Sequence, residues 1–577
     1  MRSHKLLALL LCLITGPALA GYMTLLGAGL GAVQPVAQAT FINSSYSTNL
    51  SNLTSVATFS RAGNATQFDS SGYLTYGPNN LLLNTATLGT QTVTVQVGVN
   101  YILSIKGTGS VTLTGASTAG PLNGTGASNR VDLKITAATT SLTLTVSGSV
   151  TSARLSAVTY ETAFRACDDV DNTASAFYGA RFDYTYNGSS WVPAGLLVEG
   201  AATNLIPANV SSTGLSGWGT WNATTTAGAA TGIDGLTSAD RLNEVAASGP
   251  QNSYYTVLGK TTNAVYTHAA VLKQGTQRYG HLSLTGADYT DWVAATFDLQ
   301  TGTVSQSQAG ATGTLSGSGI KSLGNGYYLC WVAGSVVATT GYNYIGTVNT
   351  GTPTLGNYGL LQYAGNTANY ILVSGAQFEL GSSPSSLIRQ SNSTRPAETV
   401  QLTGAALSTA LGSVASAFVE VGGLPVQSST IRYLQYGAGS GILLGMSGGS
   451  ATTVYEQNTA GSADATAVAG SGSIATTLRA GVSWGSTGGR KLVANGGTVA
   501  TDASNNELAT GTVNLGQGQG TYINGWLRSF AIYNSRLPDA TLQAKSVVGA
   551  SYAANDNGIR YAFADNDNLP IHWRVAL

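Results

Sequence analysis

From Thr40 onward, apolar and polar residues alternate over short segments, and Gly, Asn or Ser interrupts them about every eight to twelve residues. Clear examples are residues 92–97, 101–105 and 141–146. Such a two-residue period is typical of strands that bury one face. Helical periods are nearly absent, and residues 538–547, preceded by Leu537, predict one short helix.

Regular short strands separated by turn residues favour an all-β, multi-domain fold of tandem jelly-roll or β-sandwich modules with little helix. At about 150 residues per domain, 577 residues suggest three or four domains. The predicted division is an apolar, signal-like or docking N-terminal segment (1–40), a first jelly roll (41–163), a connecting hairpin or linker (164–200), a second jelly roll (201–399), a sandwich (400–548) and a C-terminal tail (549–577).

Two of these modules have the features of diverged copies. Each opens on an Asn-Leu pair, at Asn80 and at Asn204, and each has a Lys-Gly or Gln-Gly turn after a central strand. Each also closes on an apolar strand, near 153–157 and 375–381. We therefore predict that residues 79–160 and 203–381 share one strand order, with long insertions in the second copy.

Composition excludes several classes of protein. Lys plus Arg and Asp plus Glu are 25 each, so the net charge is zero, and charged residues make up 9% of the chain, against about 25% in an ordinary domain. A nucleic-acid binder needs a basic surface, which this chain lacks overall. With 43% hydrophobic residues the chain is also too apolar to be disordered.

The N-terminus fits two interpretations. Arg2, His4 and Lys5 precede a short apolar run and a small-residue site near Ala20, which is typical of a cleaved secretory signal. Met23 offers a second start, which would make the first 22 residues an over-long reading frame or an uncleaved apolar anchor.

No pattern of catalytic residues stands out. Two Gly-x-Ser-x-Gly strings, at 445–449 and 481–485, lack the following helix and the ordered Asp and His of a nucleophile elbow. The last module has no close alternating pair of acids for glycoside hydrolysis. We expect no catalytic residue and no cofactor. The acids of 168–171 could hold Ca²⁺, although a solvated loop is the favoured interpretation, so metal binding stays open.

Residues 195–205 are similar to a sequence that recurs in structural proteins of tailed bacteriophages and prophages. The same holds for the segments 295–299, 323–331, 375–381 and 385–388. In that family these segments belong to a carbohydrate-binding-module-like jelly roll of fibres and spikes. Residues 525–538 resemble the last strand and following helix of a concanavalin or laminin-G sandwich.

The resemblance implies a non-enzymatic virion protein, a tail fibre or a head or tail spike, that attaches to host-surface glycans. It further implies a homo-oligomer, with a trimer favoured, which contacts other virion proteins through its N-terminal segment. One alternative is a secreted or surface-attached bacterial adhesin with the same modules. A third is a glycan-cleaving depolymerase, which the missing acid pair disfavours.

Aromatic side chains of the second jelly roll are the candidate sugar site, because sugar rings stack on aromatic faces while amides and acids bind the hydroxyls. Two tryptophans three residues apart in a Gly/Thr-rich loop are not expected to find two core positions, so we expect the pair to be exposed. The candidate ligand-binding residues are Trp218, Trp221, Tyr254, Tyr255 and Trp292. By contrast, Trp331, Trp484 and Trp526 lie in strand-like patterns and are predicted to be core residues.

Overall fold

The computed structural model describes residues 37–40, 57–159, 174–257, 259–402, 415–423, 431–436, 442–446, 453–458, 463–468, 477–485, 489–502, 513–533 and 535–549. The protein is all-β, as the alternation predicts. No helix in these ranges has the length and apolar character needed to cross a membrane. The predicted signal-like residues 1–36, the acids of 168–171 and the tail beyond 549 lie outside the described residues.

The first sandwich is formed by two antiparallel sheets that bury one apolar core between them. One sheet has the order β10 (Gly126–Thr136), β7 (Asn100–Gly107), β12 (Val150–Val158). The other has the order β6 (Gln91–Thr94), β11 (Ser141–Ser147), β8 (Ser110–Gly115), β9 (Leu122–Asn123). These strands include the three segments whose alternation is clearest in the sequence.

The second sandwich is larger, with six strands in each sheet and one shared core. One sheet has the order β17 (Gly219–Trp221), β21 (Gln251–Val257), β28 (Gly341–Val348), β23 (Tyr279–Thr285), β24 (Trp292–Asp298), β25 (Thr303–Ala309). The other has the order β18 (Ala223–Ala230), β19 (Ala239–Glu244), β30 (Tyr370–Leu380), β22 (Val265–Gln274), β27 (Tyr327–Ser335), β26 (Thr314–Ser322).

The C-terminal sandwich contains strands from distant parts of the chain. Its first sheet has the order β14 (Phe182–Tyr186), β15 (Trp191–Val198), β44 (Gly525–Tyr533), β33 (Ala415–Gly422), β38 (Thr477–Trp484), β39 (Arg490–Ala494), β40 (Ala500–Asp502), and β1 (Ala37–Thr40) also pairs with β44. Its second sheet has the order β2 (Ala57–Ser60), β32 (Thr399–Leu402), β41 (Val513–Leu515), β34 (Ile431–Tyr436), β35 (Ile442–Met446), β36 (Thr453–Asn458), β37 (Ala463–Val468).

Five short two-stranded ladders accompany these sheets in the described residues: β3 (Thr66–Phe68) with β4 (Leu74–Tyr76), β5 (Asn79–Asn80) with β13 (Phe177–Tyr178), β16 (Ala202–Asn204) with β31 (Ser393–Arg395), β20 (Ser248–Gly249) with β29 (Tyr363–Ala364), and β42 (Gln517–Gly518) with β43 (Thr521–Tyr522). The predicted helix is present as α1 (Asp539–Lys545), and Leu537 before it is buried. Within the described residues, two 3-10 turns occupy Thr85–Thr87 and Asn357–Gly359.

Corresponding strands of the first and second sandwiches follow the same order, as the internal repeat predicts. The path β10-β7-β12 matches β27-β22-β30, and the path β6-β11-β8-β9 matches β21-β28-β23-β24. Strands β17 to β19 and β25 to β26 are additions in the second copy, which accounts for its greater length.

The repeat extends to individual hydrogen bonds. The Oδ1 of Asn80 accepts from the backbone N–H groups of Leu82 and Leu155, both at 3.1 Å. The Oδ1 of Asn204 accepts in the same way from Ile206 at 3.3 Å and Phe378 at 3.1 Å. In both copies a buried amide therefore ties the opening segment to the closing strand.

The structure assigns strand β2 and the hairpin β14–β15 to a different domain from the one that the sequence predicts. The sequence division places them in the first module and in a connector, whereas both belong to sheets of the C-terminal sandwich. The physical reason is the apolar face of β15: Leu196 and Val198 have no exposed surface and pack in the C-terminal core. The first sandwich is consequently inserted between β2 and β14, and the second between β15 and β32.

A buried cluster of charged side chains lies where the two inserted sandwiches meet the C-terminal sandwich. The Arg181 guanidinium donates to both carboxylate oxygens of Glu398, at 2.7 and 2.6 Å, and to Glu199 at 2.7 Å. Arg61 donates to Glu398 at 2.8 Å. The Nε of Arg395 lies 3.6 Å from Glu199. We call these five residues the arginine–glutamate cluster. Burial alone would raise the pKa of Glu199, but Arg395, Arg181 and bonds from Ser386 lower it to about 2.

Candidate functional site

The five predicted site residues do not form one surface. Trp218 is only 8% exposed, donates its Nε1–H to the Ser211 carbonyl at 2.8 Å, and contacts Tyr255 edge-on with ring centroids 4.7 Å apart. Tyr255 is 3% exposed. Both side chains belong to the core of the second sandwich, so the prediction that they face a ligand is corrected.

Trp292 has a different environment. It lies on β24, on the side that faces away from the core, yet it is only 7% exposed. The backbone of Gly359, in the 3-10 turn Asn357–Gly359, packs so closely that a Cβ there would lie 2.6 Å from the indole. The turn covers Trp292, so this third predicted residue presents no free face to a sugar.

Trp221 and Tyr254 remain on the outside of the sheet. Trp221 is 38% exposed and pairs across the ladder with Asn252, while Gly219 pairs with Tyr254. Because directly paired residues share a face, both rings lie on the outer side. A Cβ at Gly219 would lie 2.8 Å from Cζ of Tyr254, so the glycine lets the tyrosine ring lie across β17.

Further tyrosines extend this surface over β28, the loop beyond it and the turn between β23 and β24. Centroid distances are 5.8 Å from Tyr254 to Tyr342, 5.6 Å from Tyr254 to Tyr344, 6.0 Å from Tyr342 to Tyr358, and 5.0 Å from Tyr358 to Tyr289. Tyr344 is buried between its neighbours, whereas Tyr289 is 59% exposed. We call the group the outer aromatic face: Trp221, Tyr254, Tyr289, Tyr342, Tyr344 and Tyr358.

Sequence reasoning missed three tyrosines of this face, Tyr342, Tyr344 and Tyr358. Tyr342 and Tyr344 do show the two-residue spacing of one strand face. Their position beside Tyr254 depends on the pairing of β28 with β21, which joins residues about 90 positions apart, such as Tyr254 with Tyr344. That pairing cannot be read from local periodicity.

A buried amide accompanies the rings. Asn252 is 2% exposed, and its Nδ2 has no hydrogen-bond partner within the part of the chain that the structure describes. Gly346 on β28 makes room for it, since a Cβ there would lie 2.3 Å from the Asn252 Oδ1. An unpaired buried donor costs about 1–3 kcal/mol, so this amide is held beside the rings at a cost in stability.

The outer side of the sheet is nearly free of charge. Alternation from the core positions places Asn252, Thr256, His281, Thr296 and the rings on that side. Among the described outward positions of β17, β21, β28, β23 and β24, only Asp298 carries a charge, and it is paired with Arg278.

The loop that covers Trp292 is fixed to the sheet by two buried side chains. Ser283 donates its hydroxyl to the Tyr358 carbonyl at 2.6 Å, and Nε2 of His281 lies 2.8 Å from the Gly359 carbonyl. Because a carbonyl only accepts, Nε2 carries the proton and Nδ1 accepts from Thr296 at 3.0 Å. Burial lowers the pKa of His281 to about 4, so the ring is neutral.

Ser447 of the first Gly-x-Ser-x-Gly string lies outside the described residues. Ser483 of the second Gly-x-Ser-x-Gly string is fully buried inside strand β38, which is not the strand–turn–helix context of a nucleophile elbow. Of the predicted core tryptophans, Trp484 is buried, while Trp331 and Trp526 are half-buried. Within the described ranges no three His, Cys, Asp or Glu side chains group as metal ligands do.

No protein-family profile matches the chain, and no curated protein matches its sequence. A Trypanosoma rangeli sialidase in complex with sialic acid is a similar solved structure, at 10% sequence identity, covering 85% of this chain and 94% of the sialidase chain, with a TM-score of 0.21.

Proposed function

We propose that this protein is a non-enzymatic attachment protein whose second sandwich binds a glycan on its outer aromatic face. The observation that carries the proposal is the group of rings from Trp221 to Tyr358, assembled from three strands and two loops beside the unpartnered amide of Asn252. Aromatic rings and a few fixed polar groups are what a sugar ring requires on its apolar faces and its hydroxyl rim.

We further propose that the protein acts in a virion, as a fibre or spike of a tailed phage, in a homo-oligomer whose N-terminal segment contacts other virion proteins. Support comes from the sequence resemblance, and two of its segments, 195–205 and 385–388, meet in space. Ser386 donates its N–H and its hydroxyl to Glu199, at 2.8 and 2.6 Å. Asn204 donates to the Ile388 carbonyl at 3.1 Å. The shared segments therefore form one joint at the base of the second sandwich.

The glycan proposal is tested with single substitutions on the outer aromatic face. Trp221→Ala and Tyr254→Ala should each weaken binding to host cells or to a glycan array by about fivefold, because an aromatic contact contributes about 1 kcal/mol and 1.4 kcal/mol is a factor of ten. The melting temperature should hardly change for Trp221→Ala, since that ring is exposed.

Trp331→Ala is the matched control. Trp331 is half-buried and lies over Gly319, as the half-buried Tyr254 lies over Gly219, but on the other sheet of the same sandwich. It should leave attachment unchanged. Equal binding by wild type and the Trp221→Ala variant would refute the site. Trp218→Ala is not a suitable probe, since that indole is in the core and its loss should unfold the sandwich.

Sequencing the N-terminus of the protein from its native source separates the virion from the alternative of a secreted adhesin. A mature chain that begins near Gly21 supports secretion. A chain that begins at Met1 or Met23 supports assembly into a virion.

A further inference from the structure

The open part of the outer aromatic face ends at the loop that carries Tyr358, which we call the wall. The rings run from Trp221 on the edge strand β17, across Tyr254 on β21, to Tyr342 on β28. Over the next strand, β23, the loop with Tyr358 sits on the sheet, held by Ser283 and His281. Two strand spacings, about 10 Å, therefore separate the open edge from the last uncovered strand.

The wall is rigidly built. The Tyr358 ring lies 6.0 and 6.2 Å from the rings of Tyr342 and Tyr344, and its N–H donates to the Tyr289 carbonyl at 2.9 Å. Its backbone has a φ of 59°, a conformation that is unfavourable for an aromatic residue and costs about 1–3 kcal/mol. The side chain is held at the end of the open face at the expense of local strain, and Ser283 and His281 keep it there.

The outer aromatic face also favours uncharged ligands over acidic ones. The described outward positions of its strands offer hydroxyls, amides and rings but no free Lys or Arg side chain, and their one acid, Asp298, is already paired. In the turn that carries Tyr289, Asp288 places a further negative charge near Tyr358. An acidic glycan entering this face would lose water from its carboxylates without gaining a cation. Uncharged sugar rings carry no such desolvation cost.

We propose that the outer aromatic face binds the terminal segment of a neutral glycan chain, which enters across β17 and stops against Tyr358. Tyr358 is then the residue that selects a chain end over the middle of a chain. The inference rests on the proposed glycan-binding function and specifies its ligand.

Recognition of chain ends is tested by measuring binding to neutral polysaccharides before and after partial acid hydrolysis. Hydrolysis increases the number of chain ends per gram of polymer. Dextran, mannan, galactan and β-glucan serve as probes, with heparin and polysialic acid as acidic counterparts. For full-length wild-type protein, the amount bound per gram of a recognised neutral polymer should rise in proportion to the number of ends, and the acidic polymers should not bind. Binding per gram that is independent of chain length would overturn end recognition, and preference for the acidic polymers would overturn neutrality.

Tyr358→Gly supplies the second arm. Glycine adopts positive φ without strain, so the variant removes the ring and leaves the backbone favourable. It should bind intact and hydrolysed polymer equally per gram. Asn325→Gly, at another positive-φ position in a turn on the other sheet, is the matched control and should keep the end dependence.

The outcomes separate the two proposals. Length-independent binding that Trp221→Ala still weakens refutes only the chain-end inference. An absence of binding to every polymer and to a glycan array refutes the proposed function itself. Sedimentation that shows self-association lost in Trp221→Ala identifies the face as an interface between copies and overturns both.

Discussion

At the scale of single residues, neighbours in sequence have opposite environments. Trp218 is in the core and Trp221, three positions later, is 38% exposed, while Tyr255 is buried and Tyr254 lies outside. The second pair follows from the alternation of a strand, in which successive side chains face opposite sides. The first pair does not, because Trp218 precedes β17 and turns inward to reach the Ser211 carbonyl.

Acid should destabilise the second sandwich through His281. Its pKa is about 4 in the fold, below its ordinary value of 6.5, so the unfolded chain binds more protons between these values. Stability should therefore fall as the pH falls from about 6.5 to about 4. His281→Gln, which can still donate to Gly359, should show a smaller loss over this window in urea unfolding.

Other titrating groups, including His268, whose pKa is also lowered to about 4 by burial, are present in both proteins and cancel in the difference. An NMR titration of wild type should find the His281 ring neutral until about pH 4. Identical pH slopes for wild type and His281→Gln would contradict the prediction.

At the scale of elements, the hairpin β14–β15 shows how a connecting segment becomes part of a distant core. The sequence predicts a hairpin here, and the structure has one. Its apolar residues need a sheet to cover them, and the edge of β44 accepts β15 over Leu196–Leu527, Leu197–Trp526 and Val198–Gly525. A hairpin alone is marginally stable, so the pairing with β44 is what orders it.

Leu196→Ala should therefore destabilise the C-terminal sandwich, although most of that sandwich follows more than 200 residues later. Removing a fully buried leucine costs about 2–5 kcal/mol. Hydrogen exchange should accelerate in β33 and β38. Leu380→Ala, the same substitution at a side chain that is 65% exposed, should change stability by less than about 0.5 kcal/mol. Faster exchange confined to β14 and β15 would show that the hairpin is not part of that core.

At the scale of the whole molecule, the arginine–glutamate cluster joins the two insertions to the C-terminal sandwich. Arg181 begins the return of the chain from the first sandwich, Glu199 begins the second, and Glu398 ends it. Their side chains are at most 3% exposed. Buried ions are costly unless they are fully paired, and here Arg181 contributes all its nitrogen atoms to bonds with Glu398, Glu199, Ser386 and the Thr66 carbonyl.

Arg181→Ala should accordingly be among the most damaging substitutions in the chain, at about 3–5 kcal/mol, because it leaves two carboxylates buried without their main partner. Calorimetry should show all three sandwiches unfolding at lower temperature. The control is Arg130→Ala, which breaks a 3.1 Å pair with Asp132 at the surface and should cost no more than about 1 kcal/mol. A variant in which only one sandwich melts early would show that the cluster does not join them.

The sequence by itself determined the local features of this protein. The two-residue period located β7 and β11, the segment after Leu537 located α1, and the repeated Asn-Leu openings revealed two sandwiches of one strand order. These are local or repeated properties, since side-chain alternation and a buried amide at Asn80 or Asn204 act within a segment and its closing strand.

Only the tertiary structure decided which distant strands share a sheet. Strand β2 pairs with β32, more than 330 residues later, and the pairing of β21 with β28 brings Tyr254 to Tyr342 and Tyr344. Hydrogen bonds between backbones are nearly the same for any pair of strands, so the partner is chosen by the burial of whole faces. That choice buried Trp218 and covered Trp292, and it left Trp221 and the tyrosines as the outer aromatic face.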